Sequence, residues 1–233
     1  RYQPHQLSEP EEAVLSETSL TGASAWVRLF EEHTSAIEVD LPASLGGKVS
    51  LMSALANLHA PDTSSREQAA HAISSALEPG LRTRAFIYNT LLLDKSVDDR
   101  LRNYPTWITS RNMANEASDE SVQALIDAVV ARYDIPQKWY ALKAKVLGVD
   151  QLRDFDRMAS VATSDTSIGW EEGSAVVREA YASFSPELAA IVGRFIDERW
   201  IDAPVRPSKR GGAFCAYAVP SHHPYVLLNW TST

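Results

Sequence analysis

Over nearly its whole length this 233-residue chain places apolar residues at helical rather than strand spacing, and that regularity decides the fold class. Trp26, Leu29, Phe30, His33 and Ile37 fall at i, i+3, i+4, i+7 and i+11, one face of a helix. Pro42 and Gly46-Gly47 break the pattern, and Leu51, Leu55 and Leu58 define a short helix closed at His59-Ala60-Pro61. Ser64-Ser65-Arg66-Glu67 has the spacing of a capping box, predicting a helix that buries Ala69, Ala70, Ile73 and Leu77 and stops at Pro79-Gly80. Residues 81–102 read as a long charged helix with Phe86, Ile87, Leu91 and Leu101 inward. After the Tyr104-Pro105 step, Val122, Leu125, Ile126, Val129, Val130 and Tyr133 form the clearest amphipathic stripe.

Pro136 suits the first turn of the next helix, which is expected to bury Trp139, Leu142 and Val146 and to end at Gly148. Leu152, Phe155 and Met158 continue helical spacing, and Thr163 to Gly169 reads as a polar loop. Val176, Val177, Ala180, Tyr181 and Phe184 give another stripe. Ser185-Pro186 then sets an N-cap and a first-turn proline ahead of Leu188, Ile191, Val192, Phe195 and Trp200. Strand-like sequence is confined to two short runs, around Ala213-Phe214-Cys215 and from Tyr225 to Trp230. The expected fold is therefore mainly α, with about ten helices and a small β-sheet at the C-terminal end. The second strand runs to the end of the chain with nothing to cap its apolar face, and the sequence opens at Arg1. Both ends predict a fragment of a longer protein.

Composition excludes some classes of function. A net charge of −8 argues against a nucleic-acid surface, which needs clustered Lys and Arg. No apolar run approaches the roughly 18 residues of a bilayer span. The single cysteine, Cys215, rules out an internal disulfide and fits a reducing cytoplasm. Asn229-Trp230-Thr231 is a formal glycosylation sequon and is read as incidental.

The search for catalytic motifs returns little. There is no G-x-S-x-G, P-loop, G-x-G-x-x-G, C-x-x-C pair or H-E-x-x-H in the chain. His222 and His223 are adjacent, and neighbours on an extended segment point to opposite faces, so they read as a solvated turn rather than a ligand pair. Cys215 has no evident orienting group and reads as a half-buried strand thiol, not a nucleophile acting with His222 or His223. The acidic pairs, including Asp98-Asp99, read as solvated helix faces with surface salt bridging. Trp26, Trp107, Trp139, Trp170 and Trp200 are assigned to packing. Lys209-Arg210-Gly211-Gly212 has the form of an anion nest, and equally of a glycine turn into a strand.

A longer string of motifs is more specific. Leu20-Thr21-Gly22-Ala23-Ser24-Ala25-Trp26, Asp94 through Trp107, Arg111-Asn112-Met113-Ala114-Asn115-Glu116, Arg199-Trp200-Ile201-Asp202-Ala203-Pro204, Lys209 through Phe214, and His223 through Asn229 occur in this order. Together they resemble the oligoendopeptidase F family, zinc metallopeptidases of the thimet-oligopeptidase type. The resemblance implies a mainly α, two-lobed, multi-helix enzyme enclosing a channel for short peptides. Residues 1–102 would form a helical N-terminal lobe and 103–233 the first, incomplete part of the catalytic domain. It also implies one Zn²⁺, bound by H-E-x-x-H and a downstream glutamate.

That helix should follow Thr233, so no catalytic residue and no metal ligand maps onto any position here, and the chain alone is expected to be inactive and zinc-free. The family strand ahead of the active-site helix lies beside the bound peptide. This points to Gly211, Gly212, Ala213, Phe214, Tyr217 and His223 as substrate-binding residues, with short peptides as partners and neither nucleic acid nor membrane involved. The competing reading is a non-catalytic helical scaffold presenting a groove to a peptide or protein; a scaffold should end on a capping helix with a polar outer face.

Overall fold

The computed structural model describes residues 2–161 and 168–230. Ten helices are present among them: α1 (Glu9–Ser19), α2 (Ala23–Ser35), α3 (Leu51–Ala56), α4 (Thr63–Leu77), α5 (Leu81–Leu101), α6 (Thr109–Ala114), α7 (Asp119–Val130), α8 (Asp134–Leu147), α9 (Trp170–Phe184) and α10 (Pro186–Asp197). The mainly α expectation holds. The polar loop read over Thr163–Gly169 lies, except for its last two residues, outside the described residues.

Local chemistry accounts for most helix ends. Ser185 Oγ accepts from the Leu188 N–H at 3.3 Å with Pro186 in the first turn, as the Ser-Pro step predicts. Gly148 follows α8 at φ 69°, the left-handed geometry that only glycine adopts at little cost. The capping box at Ser64 is displaced: α4 begins at Thr63, and Asp62 caps it by accepting from the Ser65 N–H at 2.8 Å. A carboxylate before the first turn serves as well as a hydroxyl and also faces the helix dipole favourably.

Strands are not confined to the end. β1 (Glu38–Asp40) and β2 (Lys48–Ser50) form an antiparallel hairpin, with Val39 opposite Val49. Ile37 therefore leaves the helical stripe, because α2 ends at Ser35. A second sheet takes the order β3–β5–β4, with β3 (Ile201–Pro204) parallel and β4 (Phe214–Ala216) antiparallel to the central β5 (Tyr225–Trp230). β3 is invisible to alternation because it is four residues with a proline at its end. The segment around Leu152, Phe155 and Met158 is not a helix but holds a single 3-10 turn, Asp154–Asp156.

The chain forms two compact units, Arg1–His33 with Leu77–Leu152, and Thr34–Ala76 with Arg153–Thr233. In the first, Ile87 and Met113 are buried, and Trp26 meets Phe86 edge-on at 5.6 Å. Arg102 grips Glu12 through two bonds of 2.6 and 2.9 Å and also binds Asp98 at 2.8 Å. In the second, Val39, Leu41, Ala54, Ala69, Ile73, Ala159, Trp200 and Ala203 are buried, and α9 packs on α10. Gly173 lets α9 approach Trp230 so closely that an added Cβ would lie 2.5 Å from the indole.

Several stripes do not do what their spacing suggests. Leu125, Ile126, Val129 and Val130 on α7, Trp139, Leu142 and Val146 on α8, and Val176, Tyr181 and Phe184 on α9 are all exposed, as are Phe86 and Trp107. On α8 the buried residue is Lys143. Periodicity identifies the face of a helix that seeks an apolar partner; burial requires that the partner be there.

Candidate functional site

Residues 199–230 carry most of the positions singled out by the sequence. α10 ends in a double-bonded C-cap: the Arg199 N–H reaches the Ile196 carbonyl at 3.3 Å and the Trp200 N–H reaches Phe195 at 2.9 Å. That geometry puts Arg199 at φ 60°, where glycine is the usual residue. It turns the chain sharply from helix into β3 and buries Trp200, whose ring meets Phe195 at 5.1 Å.

From β3 the chain loops through residues 205–213 to β4. Lys209 fastens this loop. Its side chain is 6% exposed, and its Nζ donates to the carbonyls of Asp202, Pro204 and Leu228 at 3.0, 2.8 and 2.7 Å and lies 3.2 Å from the Asp202 carboxylate. The ammonium is thus used within the chain, tying β3 to β5 and pairing with the Asp202 carboxylate. Asn229 holds the far side: its Nδ2 donates to the carbonyls of Arg210 and Gly212 at 3.0 and 2.8 Å.

Gly212 takes φ 81°, and a Cβ on Gly211 would meet Met52 Sδ at 2.8 Å, so both glycines have a conformational or steric reason to be there.

Phe214 pairs with Leu227 across the ladder and lies under the Arg210 guanidinium at 4.9 Å. Ala213 and Phe214 through Ala216 are exposed, and Tyr217 is more so at 83%. Cys215 is exposed rather than half-buried, because β4 is an edge strand with no described layer over it. His223 is half-buried, stacked flat on Trp200 with centroids 4.1 Å apart and tilted against Tyr225 at 4.5 Å. Its Nδ1–H donates to the Pro224 carbonyl at 3.0 Å. The adjacent His222 shares none of these ring contacts, so the two histidines do not act as a pair.

Of the six positions predicted to touch substrate, Gly211 to Phe214 lie at one end of the β4–β5 pair, beside Asn229. His223 lies beyond the other end, next to the Ala216–Tyr225 rung, and Tyr217 follows β4. One edge strand links them. Two residues that shape this region, Asn229 and Arg199, are not among the site residues predicted from sequence. Their signal is topological: one is a polar residue inside an apolar strand, the other a bulky residue at a left-handed helix end.

Among the described residues no three His, Cys, Asp or Glu side chains come together as metal ligands would. The described residues therefore do not fit the zinc that the family resemblance implies. No described helix is long and apolar enough to cross a membrane.

Known proteins align along the whole chain. A family profile described as oligopeptidase F matches residues 1–38, and one described as peptidase family M3 matches residues 56–233. Group B oligopeptidase PepB of Streptococcus agalactiae is 27% identical over 233 residues, covering 99% of this chain and 39% of PepB. Oligopeptidase PepF of Bacillus subtilis is 22% identical, covering 97% of this chain and 34% of PepF. The chain thus spans between a third and two fifths of the length of these two relatives.

Among solved structures, PZ peptidase A with an inhibitor superposes with a TM-score of 0.78 at 16% identity, over 99% of this chain and 40% of that one. Oligoendopeptidase F from Enterococcus faecium gives 0.61 at 20%, over 85% and 37%. At such identities these structures establish the fold.

Proposed function

This chain belongs to peptidase family M3, and from that premise we propose that it is part of a zinc-dependent oligoendopeptidase that hydrolyses short peptides in the cytoplasm. Its share of the work is to bind the peptide. The observation that carries this reading is the β4 edge. The order β3–β5–β4 leaves one row of β4 backbone groups outside the ladder, exposed and rimmed by Gly212, Phe214, Tyr217 and His223. An extended peptide adds to such an edge through main-chain hydrogen bonds, which suits an enzyme that accepts many sequences. The zinc ligands and the general base belong, on this reading, to residues outside the 233 given: H-E-x-x-H does not occur in them.

The test uses the purified chain and a short fluorescent peptide. The unmodified peptide is expected to bind at least about tenfold more tightly than the same peptide N-methylated at alternate residues, since methylation removes the donors that strand addition needs. Equal binding would remove the β4 assignment. The chain is also expected to hold no stoichiometric zinc and to cleave nothing; zinc-dependent cleavage would overturn the placement of the metal site elsewhere.

A further inference from the structure

One face of the β3–β5–β4 sheet carries a pocket of about 420 Å³, lined by Arg199, Asp202, Arg206, Phe214, Tyr225 and Leu227, among others. Register explains the grouping. Asp202 is level with Leu227, Leu227 with Phe214, and Tyr225 with Ala216, so these side chains share one face. The charge is lopsided. Residues 199–210 hold four cations, Arg199, Arg206, Lys209 and Arg210, and one acid, Asp202, in a chain of net charge −8. Asp202 is already shared, by Arg206 at 2.6 Å and Lys209 at 3.2 Å. The neighbouring acids are committed elsewhere, Asp197 to Arg178 and Glu198 to Arg194. Arg199 is left with no ion-pair or hydrogen-bond partner for its side chain among the described residues.

Its backbone sharpens the point. Arg199 occupies the left-handed position of the α10 C-cap, where glycine is the residue that folding alone would select. A cation near a helix C-terminus gains something from the dipole, but lysine would serve that purpose equally. A planar guanidinium among the lining residues of a pocket that also holds Phe214 and Tyr225 is instead suited to a carboxylate, which it can meet with two parallel bonds.

We infer that this pocket binds a peptide carboxylate, with Arg199 as its anchoring cation and Tyr225 and Phe214 flanking the residue that bears it. The inference rests on the peptide-binding reading above and deepens it: the β4 edge would hold the backbone without regard to sequence, and the pocket would select for a negative charge.

Arg199→Gly makes a clean test, because glycine fits the C-cap geometry and the fold should survive. Three versions of one fluorescent peptide are titrated into the full chain by anisotropy at low salt. One ends in a free carboxylate, one in an amide, and one is an amide carrying Glu in place of Gln near its end. A carboxylate is expected to tighten binding about tenfold, an advantage lost in Arg199→Gly and reduced in Arg199→Lys, while the plain amide is unaffected. The advantage should shrink as ionic strength rises.

Tight binding of the free acid assigns the carboxylate to the peptide terminus, and tight binding of the Glu amide assigns it to a side chain; either supports the inference. Equal binding of all three peptides, or an advantage that survives in Arg199→Gly, overturns it while leaving peptide binding intact. Failure of all three peptides to bind overturns it together with the reading on which it rests.

Discussion

Arg66 and Asp156, ninety residues apart, form an ion pair of 2.7 Å in which each side chain is 1% exposed. The guanidinium is fully occupied: Nε and Nη2 reach Asp156, Nη1 reaches the carbonyls of Ala60 and Pro61, and Nη2 also reaches Thr63. Asp156 in turn accepts from the Arg153 N–H at 2.9 Å. The pair joins the two separate stretches of chain that build the second unit.

Removing one partner should be far worse than removing both. Asp156→Ala leaves a buried guanidinium uncompensated and is expected to cost about 3–5 kcal/mol, whereas Arg66→Met with Asp156→Leu should cost much less. Urea unfolding of the full chain and the two variants checks this; equal losses would refute it.

Glu12 gives the first unit a pH dependence. Bonds from Arg102, then from the Leu7 N–H, hold its carboxyl at about 2 against an ordinary value of 4.5. The folded value lies below the unfolded one, so the contribution is full above pH 4.5 and is lost as pH falls from there towards 2. Acid titration followed by circular dichroism should show a loss of helix across that window, and Glu12→Gln, already without the charge, should flatten it.

Gly173→Ala tests the contact between α9 and Trp230. On an exposed helix the change would stabilise by roughly 1 kcal/mol. Here the Cβ would lie 2.5 and 3.0 Å from two indole carbons, so the expected outcome is a loss of about 1–3 kcal/mol and altered tryptophan fluorescence. Combining it with Trp230→Leu should recover part of the loss relative to Trp230→Leu alone.

Lys209→Met removes the ammonium that joins two carbonyls of β3 to one of β5. Charge-assisted bonds to half-buried groups predict a loss on the order of 1–3 kcal/mol. Hydrogen exchange should report it locally, with faster amide exchange in β3 and β5 and little change in the first unit. Uniform acceleration would show that the lysine acts on the whole chain instead.

The sequence by itself determined that the chain is mainly helical and where several of its elements lie. Helix spacing, Gly148, Ser185-Pro186 and the apolar run from Tyr225 are local signals, set by backbone geometry within a few residues, and they place α8, α10 and β5. The ordered motifs, from Leu20-Thr21-Gly22 to His223-Pro224-Tyr225, also suffice to point to the family. Tertiary structure alone decided which apolar faces are covered, since Leu125 and Trp139 keep their helical spacing whether or not anything packs on them. It alone raised β3, a strand too short to alternate, and set Arg199 beside Tyr225 and Lys209 against Leu228. Those neighbours are joined by strand pairing across about twenty residues, and pairing is a choice among partners that no local pattern encodes.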